Sequence, residues 1–365
     1  MKNIILITPK YIHFDGKKSN VESDVFYHFE KSLKSLNKKV LIAKFKYNKD
    51  NYQELDLNYL KKKITKKSLI LIDANISTEE NKIYPLALYN LLENSRSKIV
   101  CFVPDLIQTL NFKNWVNVSN LIIGFSKDAV NWANKHYKTN KFHFYPSLPL
   151  FMKKNINYNN FIKRPYDIGY IGSDKKFRSK FLNNLKNKIL KKNKILIINS
   201  NRSLKKYNST KSYLDKLSQC KFYFCTRASI FENYSTSYFK INLKEGRYAN
   251  RVSEAIICGS IPLYWQTKFS NSLIGLVQKK IFFSRKKIIP TSWGMKGDIN
   301  SYPYDNMKNE LKKGIQIVKN VDDAIDKINK YNKKYIIEKL NYGSKIYNSY
   351  ISPKAFYNFI EKKIR

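Results

Sequence analysis

The chain has 365 residues, of which 43% are hydrophobic, and its formal net charge is +42. This length exceeds that of one typical domain and predicts two, each with enough apolar residues for a core. Four cysteines in so long a chain exclude a disulfide-stapled scaffold. We expect buried, reduced thiols, which suit the cytoplasm. No apolar stretch approaches the about 20 residues of a membrane span.

The large positive charge indicates a nucleic acid or an anionic membrane surface as a partner. However, the lysines are spread along the whole chain, and asparagine and isoleucine are abundant, as in proteins of AT-rich genomes. We find no zinc-finger spacing, no RNP-like aromatic motif and no helix-turn-helix pattern. Codon bias therefore ranks first, attraction to an anionic membrane second, and nucleic acid last.

The first half of the chain alternates apolar runs with amphipathic stretches. Runs that are apolar throughout, separated by helices, predict a parallel sheet covered on both faces. The predicted strands are residues 3–8, 40–45, 69–73, 99–103, 121–125 and 142–145, and the predicted helices include residues 21–36, 81–93 and 127–137.

Residues 146–165 interrupt this pattern with three prolines and little periodicity, which predicts an interdomain linker. A second alternation follows, and the last fifty residues have helical patterns. The predicted strands are residues 166–171, 194–199, 221–225 and 281–284. The predicted helices are residues 175–191, the region around Leu214, and residues 322–331, 334–349 and 353–363.

The segment 246–265, GRYANRVSEAIICGSIPLYW, predicts a helix that a glycine ends, followed by an apolar strand. One face of the helix carries the apolar residues of a core stripe. The opposite face carries Arg247, Arg251 and Glu254. Arginine offers a fork of donors for phosphate oxygens, and a carboxylate accepts from vicinal hydroxyls of a sugar. Periodicity alone, however, favours a solvated face with a surface ion pair.

The order of residues in this segment resembles a known donor site. Arg251-Val-Ser-Glu254-Ala, then Gly259, then Ile261-Pro262, is similar to the donor-site segment of GT-B glycosyltransferases. It is most similar to the exostosin-like and spore-maturation-protein-like families, and the strand at residues 221–225 also resembles its fucosyltransferase version. The resemblance implies that the arginine and the glutamate contact a nucleotide sugar.

The same resemblance implies a fold class, namely an α/β protein with two Rossmann-like domains of the GT-B type and a helical C-terminus. Residues 1–150 would form the acceptor domain and residues 151–340 the nucleotide-sugar domain. Residues 341–365 would return to the first domain as helices. A glutamate pair with seven intervening residues, typical of one retaining family, is a weaker match, because Glu245 and Glu254 are one residue too far apart.

A second candidate donor element follows the strand at residues 166–171. Gly172 and Ser173 stand at its end and Arg178 in the next helix, where open α/β sheets bind ligands and helix N-termini attract phosphate. The resemblance implies a role for these three residues with the diphosphate. The alternative is an ordinary turn with a solvated Arg178.

An inverting transferase needs a group that takes the proton of the acceptor hydroxyl. Asp15, Glu22 and Asp105 are candidates for this catalytic base, and Asp15 stands beside Gly16 in a predicted strand-end loop. Each of them alone is also an ordinary loop or capping residue. No Asp-x-Asp element precedes a predicted active-site strand, so we expect no metal and no cofactor besides the nucleotide-sugar donor.

We therefore expect a metal-independent glycosyltransferase of surface polysaccharide or glycoconjugate synthesis. It would move a sugar from a nucleotide sugar to a glycan or lipid-linked acceptor, in the cytoplasm or at the inner face of the membrane. Two alternatives stay open. One is a basic protein that binds nucleic acid or another polyanion, and the other is a catalytically inactive transferase-like subunit.

Overall fold

The computed structural model describes residues 3–11, 22–47, 53–74, 84–103, 112–125, 127–152, 156–172, 176–189, 195–199, 209–225, 250–265 and 305–365. Contacts divide the chain into two compact units, Met1–Phe151 with Pro353–Arg365, and Met152–Ser352. The boundary at residue 151 falls inside the proline-containing segment 146–165, and residues 341–352 lie in the second unit. The predicted strand at residues 281–284 lies outside the described residues.

The first unit contains a six-stranded parallel sheet with the order β2-β1-β5-β6-β7-β8 and a separate antiparallel hairpin, β3-β4. The inner strands are buried along nearly their whole length, which confirms the parallel sheet predicted from the apolar runs. The strands are β1 (Asn3–Ile7), β2 (Val40–Ile42), β3 (Phe45–Tyr47), β4 (Gln53–Leu55), β5 (Ser68–Asp73), β6 (Lys98–Val103), β7 (Leu121–Gly124) and β8 (Phe142–Phe144).

Helices connect these strands and cover the sheet. They are α1 (Asp24–Ser35), α2 (Leu57–Lys63), α3 (Leu86–Asn94), α4 (Lys113–Val118) and α5 (Lys127–His136). Side chains that alternate along the strands, such as Ile70 and Ile72, share one core with Leu88 and Trp115 from the helices.

The C-terminal helix completes the first unit rather than the second. In this helix Phe356 makes edge contacts with Phe29 of α1 at 5.6 Å between ring centroids and with Tyr145 at 5.0 Å. Ser32 of α1 also donates to the carbonyl oxygen of Pro149 at 2.7 Å. These contacts pack the C-terminal helix, α1 and residues 145–149 against one another within the first unit.

The second unit contains a five-stranded parallel sheet with the order β10-β9-β11-β12-β13. Its strands are β9 (Tyr166–Gly172), β10 (Ile195–Asn199), β11 (Cys220–Cys225), β12 (Ile261–Trp265) and β13 (Gln316–Val318). Its helices are α6 (Tyr158–Ile162), α7 (Lys176–Ile189), α8 (Thr210–Leu217), α9 (Asn250–Ile257), α10 (Asp305–Gly314), α11 (Val321–Asn329) and α12 (Lys333–Ile346). Helix α12 continues into a π-helical turn (Tyr347–Ile351). The C-terminal helix of the first unit, α13 (Pro353–Ile364), follows this turn.

In both sheets the order of strand addition reverses at an inner strand, β1 in the first sheet and β9 in the second. The chain goes from β1 to β2 on one side and reaches β5 on the other, and it goes likewise from β9 to β10 and then to β11. Open α/β sheets bind ligands at the carboxyl ends of the strands that flank such a point. Ligand sites are therefore expected at the carboxyl ends of β1 and β5 in the first sheet and of β9 and β11 in the second.

No helix among the described residues has both the length and the apolar character needed to cross a bilayer. The four cysteines lie in the described part of the chain, where they form no disulfide and are buried, as we expected from their number and spacing.

Candidate functional site

Helix α9 begins at the carboxyl edge of the second sheet and ends at a glycine. Gly259 has a φ of +66°, and the amides of Gly259 and Ser260 donate to the carbonyls of Ile256 and Ala255. These two bonds form a Schellman motif, in which glycine tolerates the left-handed conformation. The predicted core stripe is buried, with Val252 and Ala255 fully enclosed.

The opposite face of α9 is not solvated, which corrects our expectation from periodicity. Glu254 is only 9% exposed and lies inside the unit. Ser253, between the two faces, is buried as well. Of the two charged residues of this face that the structure describes, Arg251 is the more accessible, with 33% of its side chain exposed. A wet face would leave both charged side chains in water, so the surface-ion-pair interpretation is wrong for this helix.

A tyrosine hydroxyl links the two charged residues. The hydroxyl of Tyr213 on α8 donates to Oε2 of Glu254 at 2.5 Å and accepts from Nη1 of Arg251 at 2.6 Å. The direct distance between Nη1 and Oε2 is 4.0 Å. The guanidinium carbon also lies 5.5 Å from the centroid of the Tyr213 ring. Arg251 and Glu254 are therefore coupled through Tyr213 rather than as a close ion pair.

A second tyrosine ties this group to the sheet. Regular pairing of β11 with β9 extends to Tyr223 opposite Gly169. Beyond it, the Tyr223 hydroxyl accepts from the amide of Ile171 and donates to its carbonyl, both at 3.0 Å. The same hydroxyl lies 3.4 Å from Nη1 of Arg251. Where regular pairing of the two strands ends, the Tyr223 side chain thus provides hydrogen bonds to the main-chain N–H and C=O of Ile171 in β9.

Gly172 ends β9 directly beside the guanidinium. A Cβ atom at this position would lie 3.3 Å from Nη2 of Arg251 and 2.7 Å from the hydroxyl of Tyr170. Because glycine has no Cβ, the guanidinium can pack against the end of β9. The structure brings together three of the predicted donor-site residues, namely Gly172, Arg251 and Glu254.

The environment of the site sets the protonation states of Arg251 and Tyr213. Burial lowers the pKa of Arg251, but the two facing tyrosines and Glu254 outweigh this effect and hold the pKa well above its usual value. Burial and then the charge of Glu254 raise the pKa of Tyr213, against the opposing effect of Arg251. At neutral pH the site therefore presents a charged guanidinium and a protonated Tyr213 hydroxyl.

Arg251 keeps donors for a ligand. Among the described residues, Nη1 donates to Tyr213 and approaches Tyr223, and neither Nε nor Nη2 has a hydrogen-bond acceptor. Nε and Nη2 form one edge of the planar guanidinium, with the two parallel N–H groups that bind carboxylate or phosphate oxygens in pairs. This edge, beside the end of β9, is the chemically available part of the site.

The structure places two of the other predicted site residues in the fold. Glu22 forms an isolated antiparallel bridge with Tyr11 beyond β1. Arg178 lies in α7. Asp15, Asp105, Ser173 and Arg247 lie outside the described residues.

At the corresponding edge of the first sheet, the polar side chains that the structure describes are buried. Thr8, just after β1, and Asp73, at the end of β5, are buried, with Oγ1 and Oδ2 3.4 Å apart. The hydroxyl of Tyr84 donates to the carbonyl of Ile7 at 3.2 Å. These three polar side chains therefore bond within the unit, and none of them is a counterpart of the partly exposed Arg251.

Sequence reasoning missed both tyrosines of the second-unit site. Tyr223 stands inside the KFYFC strand, where an aromatic residue reads as core. Tyr213 stands on a separate helix, 41 residues before Glu254, and no local pattern links the two. No family model matches the chain, and no curated protein shows significant sequence similarity to it.

Proposed function

We propose that this protein is a GT-B glycosyltransferase that moves a sugar from a nucleotide-sugar donor to a glycan or lipid-linked acceptor. The observation that carries the proposal is the Arg251 guanidinium at the carboxyl edge of β9 and β11, with Nε and Nη2 available to a diphosphate. Two parallel sheets in two compact units and the resemblance of the segment 251–262 to GT-B donor sites support it.

The position of Arg251 supports binding rather than helix stability. Arg251 lies in the first turn of α9, where the partial positive charge of the helix disfavours a cation by about 0.3–1 kcal/mol. A bound phosphate reverses this relation, because the helix terminus and the guanidinium then attract the same anion. In this proposal Gly172, Ser173, Arg178 and Arg247 contribute to the same donor site.

The reaction requires a base in addition to the donor site. Asp15, Glu22 and Asp105 remain our candidates for the group that takes the acceptor proton. The positive charge of Arg251 and the start of α9 would stabilise the leaving diphosphate in place of a metal ion. A cytoplasmic location, with peripheral attachment to an anionic membrane, belongs to the same proposal.

A thermal-shift panel of UDP, GDP, CMP and dTDP sugars tests the proposal. A ligand at 100 times its dissociation constant stabilises the folded state by about 2.7 kcal/mol, which is a readily measured shift. If no nucleotide changes the melting temperature and DNA binding falls steeply with salt, the polyanion-binding alternative replaces it. Nucleotide binding without turnover on any acceptor would identify an inactive subunit.

A further inference from the structure

We infer that Tyr213 is a positioning residue of the donor site, which holds the Arg251 guanidinium in its binding orientation, and that Glu254 acts through Tyr213. The inference rests on the proposed function, since it concerns how the same site takes a phosphate-bearing ligand. It assigns Glu254 a different role from the one that the sequence resemblance implies, which is direct contact with the nucleotide sugar.

The direction of the Tyr213 hydroxyl is the first step of the argument. A carboxylate is an acceptor only, so the 2.5 Å contact requires the hydroxyl to donate its proton to Glu254. The lone pairs of the hydroxyl then face Nη1 of Arg251 at 2.6 Å. Charge-assisted bonds of this kind are short and strong, and bonds in a chain strengthen one another.

The second step concerns the orientation of Arg251. An unrestrained arginine loses side-chain entropy when a ligand immobilises it. The bond to Tyr213 occupies Nη1, and the Tyr213 ring packs along the guanidinium, so this entropy is already lost in the free protein. The edge formed by Nε and Nη2 is thereby presented to a ligand in advance, which raises affinity without a new contact.

The third step concerns Glu254. Its Oε2 receives the Tyr213 hydroxyl, and the side chain is only 11% exposed, whereas that of Arg251 is 33% exposed. The carboxylate is therefore much less accessible to a ligand than the guanidinium, and one of its oxygens is occupied by the tyrosine hydroxyl. Its effect on a bound phosphate passes through the hydroxyl that it orients.

Calorimetric titration of Tyr213→Phe with UDP, GDP and dTDP, each compared with its parent nucleoside, tests the inference. Phenylalanine keeps the ring and removes the hydroxyl. We expect diphosphate binding to weaken about tenfold, as for the loss of one hydrogen bond of about 1.4 kcal/mol, and nucleoside binding to stay unchanged. Equal diphosphate affinity in the variant and the wild type would overturn the role of Tyr213.

Tyr335→Phe is the matched control. It removes a part-buried hydroxyl that bonds Gln316 on the edge strand β13 of the same unit. A merely structural effect of losing a tyrosine hydroxyl would appear in both variants, whereas a positioning effect appears in Tyr213→Phe alone.

A double-mutant cycle with Glu254→Gln tests the role of Glu254. If Glu254 acts through Tyr213, the double variant binds diphosphate no more weakly than Tyr213→Phe. If Glu254 contacts the ligand directly, the two losses add, and this part of the inference fails.

A ligand-free measurement separates this inference from the proposed function. Nitrogen NMR of labelled arginine, assigned with Arg251→Lys, should show slowed rotation of the Arg251 guanidinium in the wild type and fast rotation in Tyr213→Phe. Slowed rotation without diphosphate binding would refute the proposed function and keep the positioning role. Fast rotation in the wild type would refute the positioning role itself.

Discussion

An arginine lies at each end of helix α9, and the two side chains differ in how many of their hydrogen-bond donors are occupied. At the C-terminal end, Arg164 donates Nη1 to the Cys220 carbonyl at 2.8 Å and to Oγ of Ser260 at 2.9 Å, and Nη2 to the Cys258 carbonyl at 2.7 Å. At the start, Arg251 donates only Nη1 and leaves one edge of its guanidinium without acceptors among the described residues.

The electrostatic settings of the two arginines differ as well. Burial lowers the pKa of Arg164 to about 10, whereas the pKa of Arg251 lies above its usual value. A cation at a helix C-terminus is stabilised by the helix, and a cation at the N-terminus is not. The comparison teaches that Arg164 is committed to holding the fold together, and that Arg251 is held in place with capacity left for a ligand.

The largest expected effect is that of Arg164→Leu, which removes the committed arginine. Two carbonyl acceptors and the Ser260 hydroxyl lose a buried charged donor, and we expect a loss of about 3–5 kcal/mol in the free energy of unfolding. Urea denaturation measures it. Arg164→Lys should retain part of the stability, since a lysine keeps the charge without the fork. A loss below about 1 kcal/mol, as at surface positions, would contradict the committed role.

Gly259→Ala perturbs the same end of α9 and should destabilise by about 2–3 kcal/mol. The new Cβ would lie 2.7 Å from Cγ2 of Ile156 and 2.8 Å from Nη2 of Arg164, at a φ of +66°. Gly343→Ala is the matched control, because among the described atoms the nearest to its Cβ would be Cγ2 of Ile256, at an ordinary contact distance of 3.8 Å. We expect that helical substitution to stabilise by up to about 1 kcal/mol. Similar melting temperatures for the two variants would argue against a tightly packed helix end.

Glu254→Ala tests whether the start of α9 is as enclosed as the structure indicates. A solvated face predicts a stability change within about 1 kcal/mol. The buried contact with Tyr213 instead predicts a loss of about 2 kcal/mol, because the tyrosine hydroxyl and Arg251 lose their carboxylate. Thermal unfolding of the purified variant decides between these values, and no change would restore the surface interpretation.

Arg251→Ala should have the smallest effect on stability, within about 1 kcal/mol, because its side chain is partly exposed. Its effect falls on binding, where loss of a charged donor predicts about 10- to 100-fold weaker affinity for the nucleotide sugar. Arg251→Lys should rescue binding in part.

Val252→Asp is the control for that experiment, since Val252 is fully buried and the variant should unfold instead. Calorimetric titration of Arg251→Ala and Arg251→Lys gives the answer. Undiminished donor affinity in Arg251→Ala would remove the difference between the two ends of the helix.

Elements with a clear hydrophobic pattern were predictable from the sequence, and several short elements without one were not. The apolar runs indicated the buried strands β5, β6 and β7, and the residues of a core stripe indicated α9. The hairpin β3-β4, the helix α6 within the predicted linker and the strand β13 were missed. In these elements three to five residues, several of them polar, do not make a pattern that distinguishes a strand or helix from a loop.

For the candidate site, the sequence by itself determined what one helix contains. The spacing of Arg251 and Glu254 put them on one side of α9, and Gly259 marked its end, because local backbone geometry sets both features. Only the tertiary structure decided what packs on that side. Periodicity within a helix carries no information about a hydroxyl delivered by another helix. The burial of Glu254 against Tyr213, and the partial exposure of Arg251, follow from how α8 and α9 pack on the same sheet.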